Sequence, residues 1–397
     1  MRRDVDLGVL TAFARAVFSQ PIYHALFATF AFLLGSAVGS FLNVCIYRMP
    51  LGLSVNEPKR SFCPSCKYQI PWWSNLPILT WLAQRGKCAN CGGGIAFRYV
   101  LVEILTGLLF LGVWWRVAYA GEFPGEWAKF FPLVVFVSLL VVATFIDFEH
   151  LMIPDEITWG GAIAGIVLSL GIPMLHDEKF GILTSHLKGG AWALAGAVLG
   201  FALLWLVSVL GKMAFGKKTL EFPKDEPFTW TLEGERAKLV AGTEEHWWDE
   251  LFANEKDFLV MNCGRFEFDR SVREGAEVRF QYERLHLDGK EHDLNVVKSF
   301  SGTVRKISFK RAAMGFGDVK FIACIGAFLG WKAVLFTVMS ASVFGAVIGG
   351  VPLLIGKREW SAKIPFGPYL SLGALLWLFH GPELVSWYLA FTAPAPL

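Results

Sequence analysis

The sequence predicts a polytopic α-helical membrane protein of about eight transmembrane helices, a full crossing taking about 20 apolar residues, with a cytoplasmic four-cysteine zinc loop and an inserted soluble β-rich domain. Three observations predict it. The 397 residues are 54% hydrophobic, and their mean hydropathy is +0.46. Two C-x-x-C pairs share one basic stretch, and a single block of about a hundred residues carries half of all the charge.

The apolar runs are His24–Ile46, Tyr99–Tyr119, Phe130–Ile146, Ile157–Leu175, Gly190–Leu210, Val319–Gly330, Ala333–Ile355 and Pro365–Phe379. The first is too long for a signal-peptide core and has no small-residue cleavage site after it, so it reads as a retained helix. Only Trp331-Lys332 separates the sixth run from the seventh, and the sixth is 12 residues long. As a helix those 12 residues rise about 18 Å, against a hydrocarbon of about 30 Å. The sixth helix is therefore expected to run on through Lys332 and to begin below the headgroups. Residues 1–23 read as an interfacial segment. Pairs such as Gly35/Gly39, Gly196/Gly200 and Gly345/Gly349 suit any packed helix bundle.

Arg48–Arg98 carries seven Lys/Arg against one acid, Glu57, which places it in the cytoplasm and the N-terminus outside. Lys357, Arg358 and Lys363 agree with that orientation, whereas Arg2, Arg3 and Arg15 do not. Within the loop, Cys63-Pro-Ser-Cys66 and Cys88-Ala-Asn-Cys91 have the spacing of two metal knuckles completing a tetrahedral thiolate site. Gly92-Gly-Gly94 permits the tight turn of the second knuckle. Two disulfides are the alternative, disfavoured in a reducing compartment. Four thiolates leave no open position, so the zinc is expected to be structural. Cys45, Cys263 and Cys324 read as small buried residues.

Gly216–Arg311 holds 17 basic and 19 acidic residues in 96, while the other 301 hold 35 charges. Phe228–Leu232, Phe258–Asn262, Ala276–Tyr282 and Gly302–Phe309 alternate apolar with polar residues and predict half-buried strands. Thr243–Phe252 suggests one short helix.

Two aspartates stand at predicted cytoplasmic helix ends: Asp147 after Phe136–Ile146, and Asp318 within Gly315-Phe-Gly-Asp-Val-Lys320. A carboxylate at a membrane border is costly and tends to be functional. Two such groups sharing one proton can activate water and polarise a peptide carbonyl. Gly315 and Gly317 would let an extended substrate backbone approach. The bland alternatives are a helix N-cap for Asp318 and simple exit from the membrane for Asp147. Asp155, after Pro154, reads as the cap of the fourth helix.

These segments together resemble the bacterial type IV prepilin leader peptidases, a family of intramembrane aspartyl enzymes. The resemblance is carried by Gly39–Pro50, Trp73–Trp81, both cysteine pairs, Arg98–Glu103, Asp147 with Ile153–Asp155, Gly315–Lys320 and Pro365–Pro368. It covers most of residues 30–215 and 312–380. It implies catalytic roles for Asp147 and Asp318, with Gly315, Gly317 and Lys320 supporting the motif. It implies prepilin or type II secretion pseudopilin substrates, cut after a Gly that ends a basic leader, and residence in the bacterial inner membrane. Glu149, Asp155 and Glu156 would lie near such a leader, or simply form a solvated loop.

The resemblance also implies N-methylation of the new N-terminus with S-adenosylmethionine, to which Gly86 and Glu103 match positions in the loop. Their alternatives are a turn glycine and an acid satisfied by Arg98 or Tyr99. The long insert and Cys45 depart from the family's pattern. The segmentation expected is 1–23, 24–47 (first helix), 48–98 (zinc loop), 99–215 (helices two to five), 216–311 (insert) and 312–397 (helices six to eight). Nothing suggests a nucleic-acid partner, and oligomeric state is not legible. Rival readings are a signal-peptide-peptidase-like protease, which would put a Tyr where Ile146 stands, and a non-enzymatic scaffold or transporter.

Overall fold

The computed structural model describes residues 20–58, 60–63, 65–71, 76–118, 125–177, 183–215, 218–233, 236–242, 244–252, 258–269, 271–287, 289–297, 299–309, 314–349 and 365–392. The N-terminal 19 residues, Trp73–Asn75 and the basic run at 357–363 lie outside them. The chain forms two compact units, Met1–Leu204 with Phe316–Leu397, and Trp205–Gly315.

The first unit is built from α1 (Pro21–Arg48), short α2 (Leu79–Ala83), α3 (Phe97–Ala118), α4 (Phe130–His150), α5 (Asp155–Gly171), the start of α6 (Leu183–Phe215), α7 (Phe316–Phe344) and α8 (Gly367–Thr392). Among the described residues five stretches are long and apolar enough to cross a membrane, by length and composition: Pro21–Leu51, Phe97–Ala118, Glu126–His150, Leu183–Met213 and Phe316–Gly349. The fourth apolar run ends earlier than expected, because Pro173 begins a 3-10 turn after Gly171.

Helices in this unit meet through glycine. A Cβ on Gly35 would lie 2.7 Å from the Thr106 carbonyl oxygen, and one on Gly39 would lie 2.8 Å from the Glu103 Cα, so α1 and α3 pack backbone to backbone. Small residues permit such approach where lipid supplies no hydrophobic drive. The first half of α7 is wedged the same way, with Gly161 and Gly165 of α5 facing Cys324, Ala327 and Phe328 on it. On its other flank Gly196 and Gly200 of α6 face the carbonyls of Gly326 and Ile322. Phe321 through Phe328 are accordingly all buried.

The expected continuous sixth helix through Lys332 is corrected by Gly330. Its backbone (φ 78°, ψ 177°) leaves the helix, in a region that favours glycine. A Cβ on Gly326 would meet Val334 Cγ2 at 2.9 Å, although eight helical residues span about 12 Å. The second half of α7 therefore folds back on the first, and His176 lies against the turn.

The second unit holds one antiparallel sheet of eight strands: β1 (Lys218–Glu233), β2 (Arg236–Ala241), β3 (Glu244–Trp247), β4 (Leu259–Phe268), β5 (Ser271–Gln281), β6 (Arg284–Leu287), β7 (Lys290–Asp293) and β8 (Ser299–Phe309). Their order is β3-β2-β1-β8-β4-β5-β6-β7. The four alternating runs fall within β1, β4, β5 and β8, apart from Phe258 and Tyr282 just beyond strand ends. The helix expected at Thr243–Phe252 is instead β3 followed by a 3-10 turn, Trp248–Leu251. Trp248 explains the turn: its indole N–H donates to the Tyr282 carbonyl at 2.9 Å. The ring packs on Phe280 and Trp230, bridging the two arms of the sheet. Phe300 stacks between Trp230 and Phe280 at centroid distances of 4.8 and 5.3 Å and centres an aromatic core.

Candidate active site and metal centre

Asp147 lies one turn before the end of α4, where Leu151 in a left-handed conformation (φ 53°) closes the helix by donating its N–H to the Asp147 carbonyl at 3.0 Å. The side chain is 5% exposed. Its Oδ2 accepts a hydrogen bond of 2.9 Å from the N–H of Gly367, the first residue of α8. That N–H is one of the four a helix start leaves unpaired, at the positive end of its dipole. A Cβ on Gly367 would sit 2.8 Å from Oδ2, so only glycine admits the carboxylate this closely.

Asp318 is the third residue of α7 and 8% exposed. Ile153, itself buried, bridges the two segments: it touches the Cβ positions of both Gly317 and Gly367. The two carboxylates lie within electrostatic range of each other. Gly315 is exposed just before α7.

Lys320 donates to Asp155 Oδ1 at 2.6 Å and lies over the Phe316 ring, tying the starts of α5 and α7 together. Asp155 is consequently no cap. It is the first helical residue, Pro154 holds the cap position without a side-chain bond, and the carboxylate is spent on Lys320. Glu149 is paired with Arg98 across α3 and α4. Two of the three acids near the site are thus neutralised, rather than standing free to attract a basic leader.

The four cysteines converge. Cys63, Cys66, Cys88 and Cys91 bring their sulfurs within 4.8 Å of one another, all unoxidised. The Cys63–Cys91 and Cys66–Cys88 separations are 3.9 and 4.0 Å. Tetrahedral zinc with bonds near 2.3 Å needs sulfurs about 3.8 Å apart, so the donor set fits that ion. Each pair sits in a small hairpin, closed by the bridges Phe62–Gln69 and Lys87–Gly94. In both, the first cysteine's carbonyl accepts from the residue four later, Lys67 or Gly92, at 2.9 Å. Those two residues are left-handed (φ 59° and 68°), so the Lys67 knuckle adopts the turn that glycine makes easy in its twin. The Cys66 and Ser65 N–H groups hold the Cys63 thiol down at about 6, and the Tyr68 N–H lowers Cys66. Both favour the thiolate a metal requires.

Beside the cysteines opens a cavity of about 760 Å³, within the usual range of small-molecule sites. Glu103 lines it, 8% exposed, accepting from the Ile78 N–H at 2.7 Å and from the Ser40 hydroxyl. The partners expected for Glu103, Arg98 or Tyr99, are thereby replaced. Gly86 is left-handed (φ 68°), and a Cβ there would meet the Trp81 ring, a wall of the cavity, at 2.9 Å. Arg48, buried, donates to the carbonyls of Ser54, Val55 and Pro58 and fixes the rim.

Sequence reasoning missed Gly367 as a donor and Ile153 as a spacer. The Pro365–Pro368 run held the signal: a glycine before a helix-starting proline marks a free helix N-terminus.

The model of the bacterial peptidase A24 N-terminal domain matches residues 33–117, and that of the type IV leader peptidase family matches 134–218 and 295–350. The second match skips most of the sheet. A Myxococcus xanthus protein named prepilin leader peptidase/N-methyltransferase is 30% identical over 96% of this chain and 80% of its own length. The chain belongs to the type IV leader peptidase family. Proteins of the same name from Stutzerimonas stutzeri and Aeromonas hydrophila are 27% and 28% identical, over 92% of this chain and 94% of theirs. No solved structure matches this leader peptidase.

Proposed function

We propose that Asp147 and Asp318 share one proton and cut the leader from prepilins or pseudopilins at the cytoplasmic face of the inner membrane. The enzyme is a prepilin leader peptidase with N-methyltransferase activity. One carboxylate, ionised, draws a proton from water; the other, protonated, donates to the scissile carbonyl. The Gly367 N–H occupies Oδ2 of Asp147 and leaves Oδ1 for the water. Gly315 and Gly317 give the substrate backbone room, and Lys320 anchors the helix start to Asp155.

The observation that carries this reading is the convergence around Ile153 of two buried carboxylates from α4 and α7, 171 residues apart in the chain. Asp147→Asn and Asp318→Asn should each abolish leader removal in a gel-shift assay while the protein still inserts. Asp155→Asn, altering only an exposed ion pair, should keep most activity. Near wild-type cleavage by Asp318→Asn would overturn the assignment.

We count eight crossings, with the two halves of α7 as the sixth and seventh and α5 as the fourth. The N-terminus is then outside, and the zinc loop (48–98) and insert (216–311) face the cytoplasm. The contact of His176 with Gly330 supports the count, since it brings the end of α5 and the turn of α7 to one face. Zinc on the four thiolates staples the loop. S-adenosylmethionine would enter the 760 Å³ cavity, held by Glu103, Trp81 and Tyr47, and supply the methyl group. Gly86 keeps Trp81 seated.

A further inference from the structure

The same cavity is also lined by Glu149 and His150, the last residues of α4, the helix that carries Asp147. His150 is three residues beyond Asp147, a rise of about 4.5 Å. A pilin N-terminus released at Asp147 therefore emerges beside the mouth of the cavity.

Methyl transfer to that N-terminus has a chemical requirement. An α-amine is largely an ammonium at neutral pH, and its lone pair must be freed before it can attack. The cavity's carboxylates are already engaged: Glu103 accepts from Ile78 and Ser40, and Glu149 is paired with Arg98. Cys63 and Cys88, also in the wall, are claimed by the metal centre. His150 is exposed, and imidazole is the side chain whose proton affinity suits exchange near neutrality.

We propose that His150 is the base of the methylation step, accepting a proton from the new α-ammonium at the mouth of this cavity. The freed nitrogen pair forms the N–C bond to the sulfonium methyl. The C–S bond breaks with its pair going to sulfur, leaving a neutral thioether and a secondary ammonium, and His150 returns its proton to water. This rests on the methyl-transfer reading of the cavity given above.

The test uses the full-length enzyme in detergent micelles with pilin whose leader has already been removed. His150→Asn should lower kcat for methylation by 10²- to 10⁴-fold, the usual range for losing a general base, with KM for S-adenosylmethionine unchanged. Calorimetric binding of S-adenosylhomocysteine should be the same as wild type. Imidazole in the buffer should restore turnover to His150→Gly. Wild-type methylation by His150→Asn overturns the proposal, as does a loss that imidazole leaves untouched or that includes loss of S-adenosylhomocysteine binding. Thr80→Trp, which fills the cavity, separates the two levels: undiminished binding to it means that the cavity is not the donor site, and the underlying reading falls first.

Discussion

Adding one methyl group to Gly196 should disable the peptidase from about 12 Å away. A Cβ there would lie 2.2 Å from the carbonyl oxygen of Gly326, and Gly326 meets the Gly196 carbonyl at the same 2.2 Å. Ordinary contacts between heavy atoms begin near 3.5 Å, so α6 and α7 would have to part by about 1 Å. Both contacting atoms are backbone, and neither can swing aside. Overpacking of this kind costs about 1–3 kcal/mol. Asp318 is eight residues from Gly326 on the same rigid half-helix, and a displacement of about 1 Å at a reacting group costs on the order of 100-fold in rate. Gly196→Ala should thus cut leader removal about 100-fold and lower the midpoint of thermal unfolding in micelles. Gly160→Ala is the control: nothing lies within 4 Å of its Cβ, and alanine is the better helix former by about 1 kcal/mol. Cleavage by Gly196→Ala within twofold of wild type, with an unshifted midpoint, would refute the packing argument.

Cys66→Ala should lose most of the zinc measured by elemental analysis and leave the 48–98 loop open to proteases, because binding energy in such sites is folding energy; full occupancy would refute the assignment. Gly86→Val should depress methylation far more than cleavage, since it strains a left-handed residue and drives into Trp81; mass analysis of processed pilin reads the two separately. Trp248→Ala should destabilise the sheet unit by about 3–5 kcal/mol, visible as a lower unfolding midpoint, because it removes both the aromatic contacts and the bond to Tyr282.

Much of this was legible in the sequence, for identifiable reasons. Membrane helices announce themselves by unbroken apolar runs, and C-x-x-C spacing is short-range chemistry, so α1, α3, α4 and the cysteine cluster fall where expected. The strands with clear period-two alternation were legible as well. Trp248 was not, because a residue packing across both arms of a sheet leaves no periodic trace. Gly330 looked like any glycine in an apolar run; only the contact of Gly326 with Val334 reveals the reversal. Asp155 looked like a cap because its neighbours fit that pattern, while its partner, Lys320, is 165 residues away. Long-range partners, Gly367 for Asp147 above all, are invisible to local pattern.

The bond from Gly367 to Asp147 also sets a schedule. Its two ends are 220 residues apart in the chain, and bacterial ribosomes add about 5–20 residues per second. Asp147 is therefore made roughly 11–44 seconds before the amide that orients it. Asp318 arrives within that interval, but the start of α8 comes last. A nascent chain carries both acids without the anchor that aims the first of them. The anchored geometry of Asp147 is complete only once the start of α8 has been made.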